Sequence, residues 1–259
     1  MRTSVRRWKA PAAKALAGAL IGVLYAFYFA PRVPDVESFL VLSMGGFAVG
    51  ESGFTLEILF AFLPPFVQLL LYGGYLREDL DAARAYIFTR THRRSRWLWG
   101  KLRGLLLAGL AYWMALLGGG TACALLLGVP VHAAGSLLAA FWALLCTVAA
   151  YGCLLTLVLN LLTIRAPLGN ALVGVVVLDL LFRFALNDLA LGAGVVGRLL
   201  PTTQAVLAAH DIPALCALQP LYFEGSLAGF TPLFSLAVTA AYSTACGLCG
   251  RRLLNRTEL

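Results

Sequence analysis

The feature that most limits what this chain can become is the recurrence of apolar runs near twenty residues long. An α-helix rises about 1.5 Å per residue, so about twenty residues cross the hydrocarbon layer of a membrane. Six such runs can be drawn, at 11–30, 55–76, 102–127, 134–164, 168–186 and 230–250. A chain of 259 residues cannot hide all of them in one soluble core. The alternation of apolar and polar residues that a membrane β-barrel needs is absent. The expected fold class is therefore all-α, a polytopic membrane protein with six transmembrane helices. Only 12% of residues are charged, against about a quarter in soluble domains.

Two runs need comment. The fourth is longer than one crossing requires, so it should tilt, kink or protrude. The first follows a basic start, as a secretory signal does. Cleavage after Ala30 would leave Pro31 at the new terminus, a poor processing site, so the run reads as a retained anchor.

Lysine and arginine placement sets the orientation. With the N-terminus inside, seventeen of the twenty cations fall on the cytoplasmic side, in 2–14, 77–103 and 251–256 and at Arg165. Arg32 and Arg198 are left outside, and Arg183 lies within a run. Both termini are thus expected in the cytoplasm. The net charge of +8 then speaks of anionic lipid or an acidic partner surface at the inner face, not of nucleic acid.

Five of the six cysteines fall in apolar runs, where cysteine packs as a small hydrophobe. "CGLC" at 246–249 has the form of a metal or redox pair, but no second pair or histidine cluster accompanies it. No cofactor or metal is expected.

The outer connections are more than turns. Residues 31–53 include "FLVLSMGGFAVG", too short to cross and suited to an interfacial or re-entrant segment. Residues 187–229 carry Pro201, Pro213 and Pro220 and read as one or two short surface helices. They form either a lid of ordered loops or an outer gate. Gly118, Gly119 and Gly120 mark either a kink or a close helix contact in the third run.

The inner connection at 77–101 is too long for a turn. It opens "REDLDAARAYIF", with acids first and cations after, as a helix dipole favours. A cytoplasmic helix is expected, then a bend near Thr91 to Ser95 and a return into the third run. Trp97 and Trp99 suit the headgroup level, with Lys101 and Arg103 snorkelling beside them. Topology alone accounts for the sign of this segment. Its length and aromatic content fit a docking handle for a cytoplasmic partner.

Within the runs, Asp179 and Arg183 stand four apart and can share one helix face. A lone charge in mid-bilayer costs at least about 2.5 kcal/mol, so a pair is expected. They form either a polar point on a path through the protein or a structural pair near the outer leaflet. Glu57 sits at the outer start of the second run and reads as interfacial. Gln68 and Asn160 can hydrogen-bond between helices.

The layout resembles the permease subunit of ABC-2-type transporters, especially bacterial permeases of bacitracin and lantibiotic export or immunity. The likeness lies in a short basic N-terminal region, six runs, a long second-to-third inner connection and an extended outer region before the last run. Locally it rests on "YIFTRTHRRSRWLWGKL": an apolar stretch at 86–88, Arg90, Ser95 with Arg96, an aromatic run from Trp97 to Trp99, and Gly100 with Lys101. "LLPTTQAVLAAH" is similar in flavour to the family. The resemblance implies a bacterial cytoplasmic membrane protein whose inner connection is a coupling helix. That helix would seat on a separate ABC ATPase subunit through Arg84, Tyr86, Arg90, Arg93, Arg94 and Arg96. It implies a second permease copy, as homodimer or heterodimer, and an amphipathic compound or peptide as cargo. The chain carries no G-x-x-x-x-G-K-[ST] loop, so ATP would be hydrolysed on another chain.

Two other classes remain. "GESG" at 50–53 has the form used by rhomboid-type intramembrane proteases, with Ser52 as nucleophile. That chemistry needs a histidine base, and His92, His132 and His210 all fall outside the runs. A non-transporting membrane scaffold could recruit a partner through the same basic segment.

Overall fold

The computed structural model describes residues 2–44, 56–81, 94–185, 198–205, 207, 210–215 and 229–256. The described residues form a helical bundle and include no strand. Nine α-helices are designated here: α1 (Arg2–Phe29), α2 (Val36–Met44), α3 (Leu56–Tyr72), α4 (75–81), α5 (Arg94–Leu126), α6 (Ala134–Leu144), α7 (Ala150–Leu162), α8 (Leu168–Ala185) and α9 (Pro232–Arg256). A π-helical turn, Leu145–Ala149, joins α6 to α7 without a break. Among the described residues, four stretches are long and apolar enough to cross a membrane: Ala12–Arg32, Ser95–Leu126, Ala134–Leu162 and Pro232–Leu254. The chain is a membrane-embedded helical protein. Of the two other expected crossings, α3 has 17 residues and α8 has 18.

The crossing at 134–162 is the most enclosed of the four and forms the centre of the bundle. A π turn, a local widening of the helix, lies within it at Leu145–Ala149. The Thr147 hydroxyl donates to the Ala143 carbonyl inside that turn at 2.8 Å. On α1, by contrast, Leu16, Leu20, Leu24 and Phe27 recur at helical spacing and are exposed, the pattern of a face turned to lipid.

The closest helix approach is between α1 and α5. Gly18 and Gly22 stand four apart on one face of α1. A Cβ at Gly22 would lie 2.1 Å from the Leu116 carbonyl oxygen and 2.7 Å from the Gly120 amide nitrogen. A Cβ at Gly18 would lie 2.5 Å from the Tyr112 carbonyl oxygen. Small residues admit this approach where lipid gives no hydrophobic drive to association. The glycine row on α5 is thus a contact, not a kink, for α5 continues unbroken through it.

Pro64 and Pro65 lie inside α3. A proline has no amide to offer the carbonyl four residues earlier, so Pro64 leaves the Phe60 carbonyl without its helical donor. The Tyr25 hydroxyl of α1 donates to that carbonyl. The Tyr112 hydroxyl of α5 donates to the Pro64 carbonyl at 3.0 Å. The proline break is therefore stitched to both neighbouring helices.

The segment after α1 forms a buried short helix. Asp35 caps α2 by accepting from the Ser38 amide at 2.7 Å. Glu37, also buried, accepts from the His132 amide (3.1 Å), the Ala133 amide (2.9 Å) and the Ser136 hydroxyl (2.9 Å). One carboxylate thereby closes the N-terminal end of α6, where a helix favours negative charge. Burial pushes the Glu37 carboxyl upward, but these bonds outweigh it and hold the group below the usual carboxylate range.

Candidate functional site

The segment after α3 is joined to the bundle by Asn160 of α7. At Gly73 and Gly74 the chain leaves α3 and enters α4. The Asn160 side chain spans this turn. Its Nδ2 donates to the Tyr72 carbonyl at 2.8 Å and to the Thr156 carbonyl at 2.9 Å. Its Oδ1 accepts from the Leu76 amide at 3.0 Å. A buried asparagine so satisfied fixes the angle at which α4 departs. Leu76 and Leu80 of α4 then pack with Leu98 and Leu102 of α5, Leu157 and Leu161 of α7 and Leu254 of α9.

Charged side chains complete the anchorage. Lys101 of α5 pairs with Asp79 of α4 and stands over the Tyr75 ring, 5.3 Å from its centroid. Arg77 donates to the Ala166 carbonyl at 2.9 Å, reaching the turn between α7 and α8, and lies 3.6 Å from Asp81. Both ends of the segment between α3 and α5 are thus built into one core with α7 and α9. Of the expected docking residues, Arg96 is exposed near the start of α5 and Arg94 is the first residue of that helix. Arg84, Tyr86, Arg90 and Arg93 lie outside the described residues.

Asp179 is buried on α8 and accepts from the Tyr151 hydroxyl of α7. The two residues help line an apolar cavity of about 180 Å³ between α7, α8 and α9. Arg183 falls on the last turn of α8 and Glu57 on the first turn of α3. Their side chains lie outside the described residues.

Gln68, expected to bond between helices, joins three of them. Its Oε1 accepts from the Trp113 indole of α5 at 2.7 Å, and its Nε2 lies 3.6 Å from the Cys153 sulfur of α7. Gly109 and Gly152 make room for the amide, for a Cβ at either would come within 2.8 Å of it.

A serine–histidine pair was not legible in the sequence. His210 Nε2 lies 2.6 Å from Ser235 Oγ, and the Ser235 hydroxyl donates to Gln204 Oε1 at 2.7 Å. The serine proton is thus turned toward an amide. Gln204 follows Pro201 at the 3₁₀ turn Thr202–Ala205, so the group ties the connection before α9 to the start of that helix. All three side chains are buried, and His210 stacks on Phe230 at 4.2 Å. Ser52, the serine of "GESG", lies outside the described residues. Among the described residues no group of three or more His, Cys, Asp or Glu side chains is placed to hold a metal ion.

Compared with protein-family models, curated proteins and solved structures, the chain matches none.

Proposed function

We propose that the chain is the membrane-spanning permease subunit of an ABC-2-type exporter, moving an amphipathic compound or peptide with energy from a separate ATPase subunit. In this reading α3 and α8 also cross, giving six spans with both termini in the cytoplasm of a bacterial cell. A second permease copy completes the assembly.

The observation that carries the reading is the anchorage of the inner segment. A connection that served topology alone would need only its positive charge. This one leaves α3 through a turn clamped by Asn160 and returns in α5 beside an Asp79–Lys101 pair, with Arg77 reaching the turn between α7 and α8. A force applied between those two ends would reach α5, α7 and α8 together, as coupling to a cytoplasmic ATPase requires. The buried Asp179 and the cavity beside it support a polar point within an otherwise apolar path.

The test is to purify the chain from its native membrane in mild detergent and identify what accompanies it. A nucleotide-binding ATPase should copurify, and replacing Arg90, Arg93, Arg94 and Arg96 together with alanine should abolish its retention. Recovery of the chain with no ATPase, or undiminished retention by the quadruple variant, removes the proposal.

A further inference from the structure

A second cavity, of about 310 Å³, lies between α5, α7 and α9. Leu102, Leu106 and Leu110 of α5 form one wall, and Leu236, Thr239 and Ser243 of α9 stand in the other. Thr239 is 3% exposed, and its hydroxyl has no hydrogen-bond partner among the described residues. A helical threonine ordinarily settles its hydroxyl on the carbonyl four residues back. Thr147, Thr156 and Thr244 all do so, each at 2.8 Å. Thr239 does not, and a buried hydroxyl left without a partner is costly.

The charge around the cavity is one-sided. Trp99 closes one end, its ring so near Gly247 that a Cβ there would lie 2.6 Å from it. Leu110 and Leu236 line the cavity further along, so α5 and α9 run antiparallel. Arg103, exposed and outside the cavity wall, stands four residues after Trp99 on α5, as Ser243 stands four before Gly247 on the antiparallel α9. Thr239 lies one further turn in, about 6 Å along α9. Arg96, Arg251 and Arg252 are exposed at the Trp99 end.

From this we infer that the groove between α5, α7 and α9 holds one anionic phospholipid of the surrounding bilayer. Its phosphate lies at Arg103 and Ser243. Its first ester carbonyl accepts from the Thr239 hydroxyl, and its acyl chain runs between Leu106, Leu110 and Leu236. The cationic rim selects an anionic headgroup over a zwitterionic one, and the step of about 6 Å along α9 from Ser243 to Thr239 matches that from phosphate to ester. The inference does not rest on the exporter reading, and no ATPase is needed to test it.

Native mass spectrometry of the detergent-purified chain, titrated with phosphatidylglycerol or phosphatidylcholine, decides the matter. The expected result is one tightly retained phosphatidylglycerol per chain and much weaker retention of phosphatidylcholine. Arg103→Gln and Thr239→Val should each weaken retention about five-fold, the loss of one hydrogen bond. Thr121→Val, which removes a buried unpartnered hydroxyl that does not line the groove, should leave retention unchanged. Leu236→Trp, which fills the groove without removing any of its polar groups, should expel the lipid. Equal retention of the two lipids, or wild-type retention by both Arg103→Gln and Leu236→Trp, overturns the inference. So does a disulfide-linked dimer formed through Leu236→Cys in native membranes, which would put a second copy of the chain in the groove.

Discussion

Tyr25 on α1 donates its hydroxyl to the Phe60 carbonyl on α3, the acceptor that Pro64 strips of its helical donor. The two features answer each other, and their coupling can be measured. Tyr25→Phe should destabilise the protein by about 1 kcal/mol, since it orphans a partly buried carbonyl. In a Pro64→Ala background residue 64 regains an amide, and the same change should cost clearly less. Thermal unfolding of the four variants in detergent gives the coupling. Identical costs in both backgrounds would mean that the hydroxyl does not serve the broken helix.

The α1–α5 contact makes a sharp contrast between glycines. Gly22→Ala would press a methyl into the Leu116 carbonyl and should destabilise by about 1–3 kcal/mol. Gly118→Ala, on the same α5 row but with nothing within 4 Å of the added Cβ, should be neutral or slightly stabilising. Melting temperatures of the two variants check this, and equal effects would contradict the helix register.

Glu37 predicts an acid sensitivity with a definite sign. Its folded carboxyl titrates below the ordinary value of 4.5, so its stabilisation is complete above 4.5 and is lost as pH falls through the lower, folded value. Glu37→Gln cannot titrate. It should be less stable than wild type at neutral pH and flatten the decline below pH 4.5. Unfolding temperature against pH for both proteins is the measurement. A decline in the variant as steep as in wild type would assign the acid sensitivity elsewhere.

The anchorage of α4 predicts a split between stability and coupling. Asp79 and Lys101 are about a third exposed, so their pairing is worth no more than about 1 kcal/mol. Asp79→Lys should therefore leave the unfolding temperature nearly unchanged. Asn160→Leu should cost about 2 kcal/mol, because it strands the Leu76 amide and the Tyr72 carbonyl together. If the exporter reading is right, both should uncouple ATP hydrolysis from transport. Asn160→Leu with unaltered stability would deny the clamp.

Helix packing also fixes which positions share a side of the membrane. Trp99 rests on Gly247, so Arg96 and Arg251 lie at one end of the bundle, and His132, beyond the far end of α5, lies at the other. In a cysteine-free background, Arg96→Cys and Arg251→Cys should react with an impermeant maleimide only after the cells are opened, and His132→Cys in intact cells. Labelling of Arg96→Cys in intact cells would reverse the proposed orientation.

The long helices were readable because hydrophobic length is a local property. The runs at 102–127 and 134–164 anticipate α5 and the α6–α7 crossing to within a turn or two, apart from the basic first turns of α5. α5 begins at Arg94, and residues 91–93 of the expected bend lie outside the described residues. Gln68 and Asn160 stood out because amides inside apolar runs must find partners. Their partners, up to 88 residues away, could not be named from the sequence. The same limit hid Glu37 closing α6 and His210 meeting Ser235, since each joins segments whose contact depends on the assembled bundle. The π turn left no proline or glycine to announce it, for "LCTVA" is ordinary helical sequence. The expected pairing of Asp179 with Arg183 overlooked Tyr151, whose hydroxyl reaches the carboxylate from another helix.

The unbroken course of α5 has a mechanical consequence. Its 33 residues make a rod about 50 Å long, and the glycine contacts fuse α1 to its flank. Tilting as one body, such a rod carries displacement from one end to the other. A tilt of about 5° imposed at its arginine-bearing foot would swing the opposite tip by about 4 Å and carry α1 along. The amplitude available at one face of the membrane is thus set by geometry at the other.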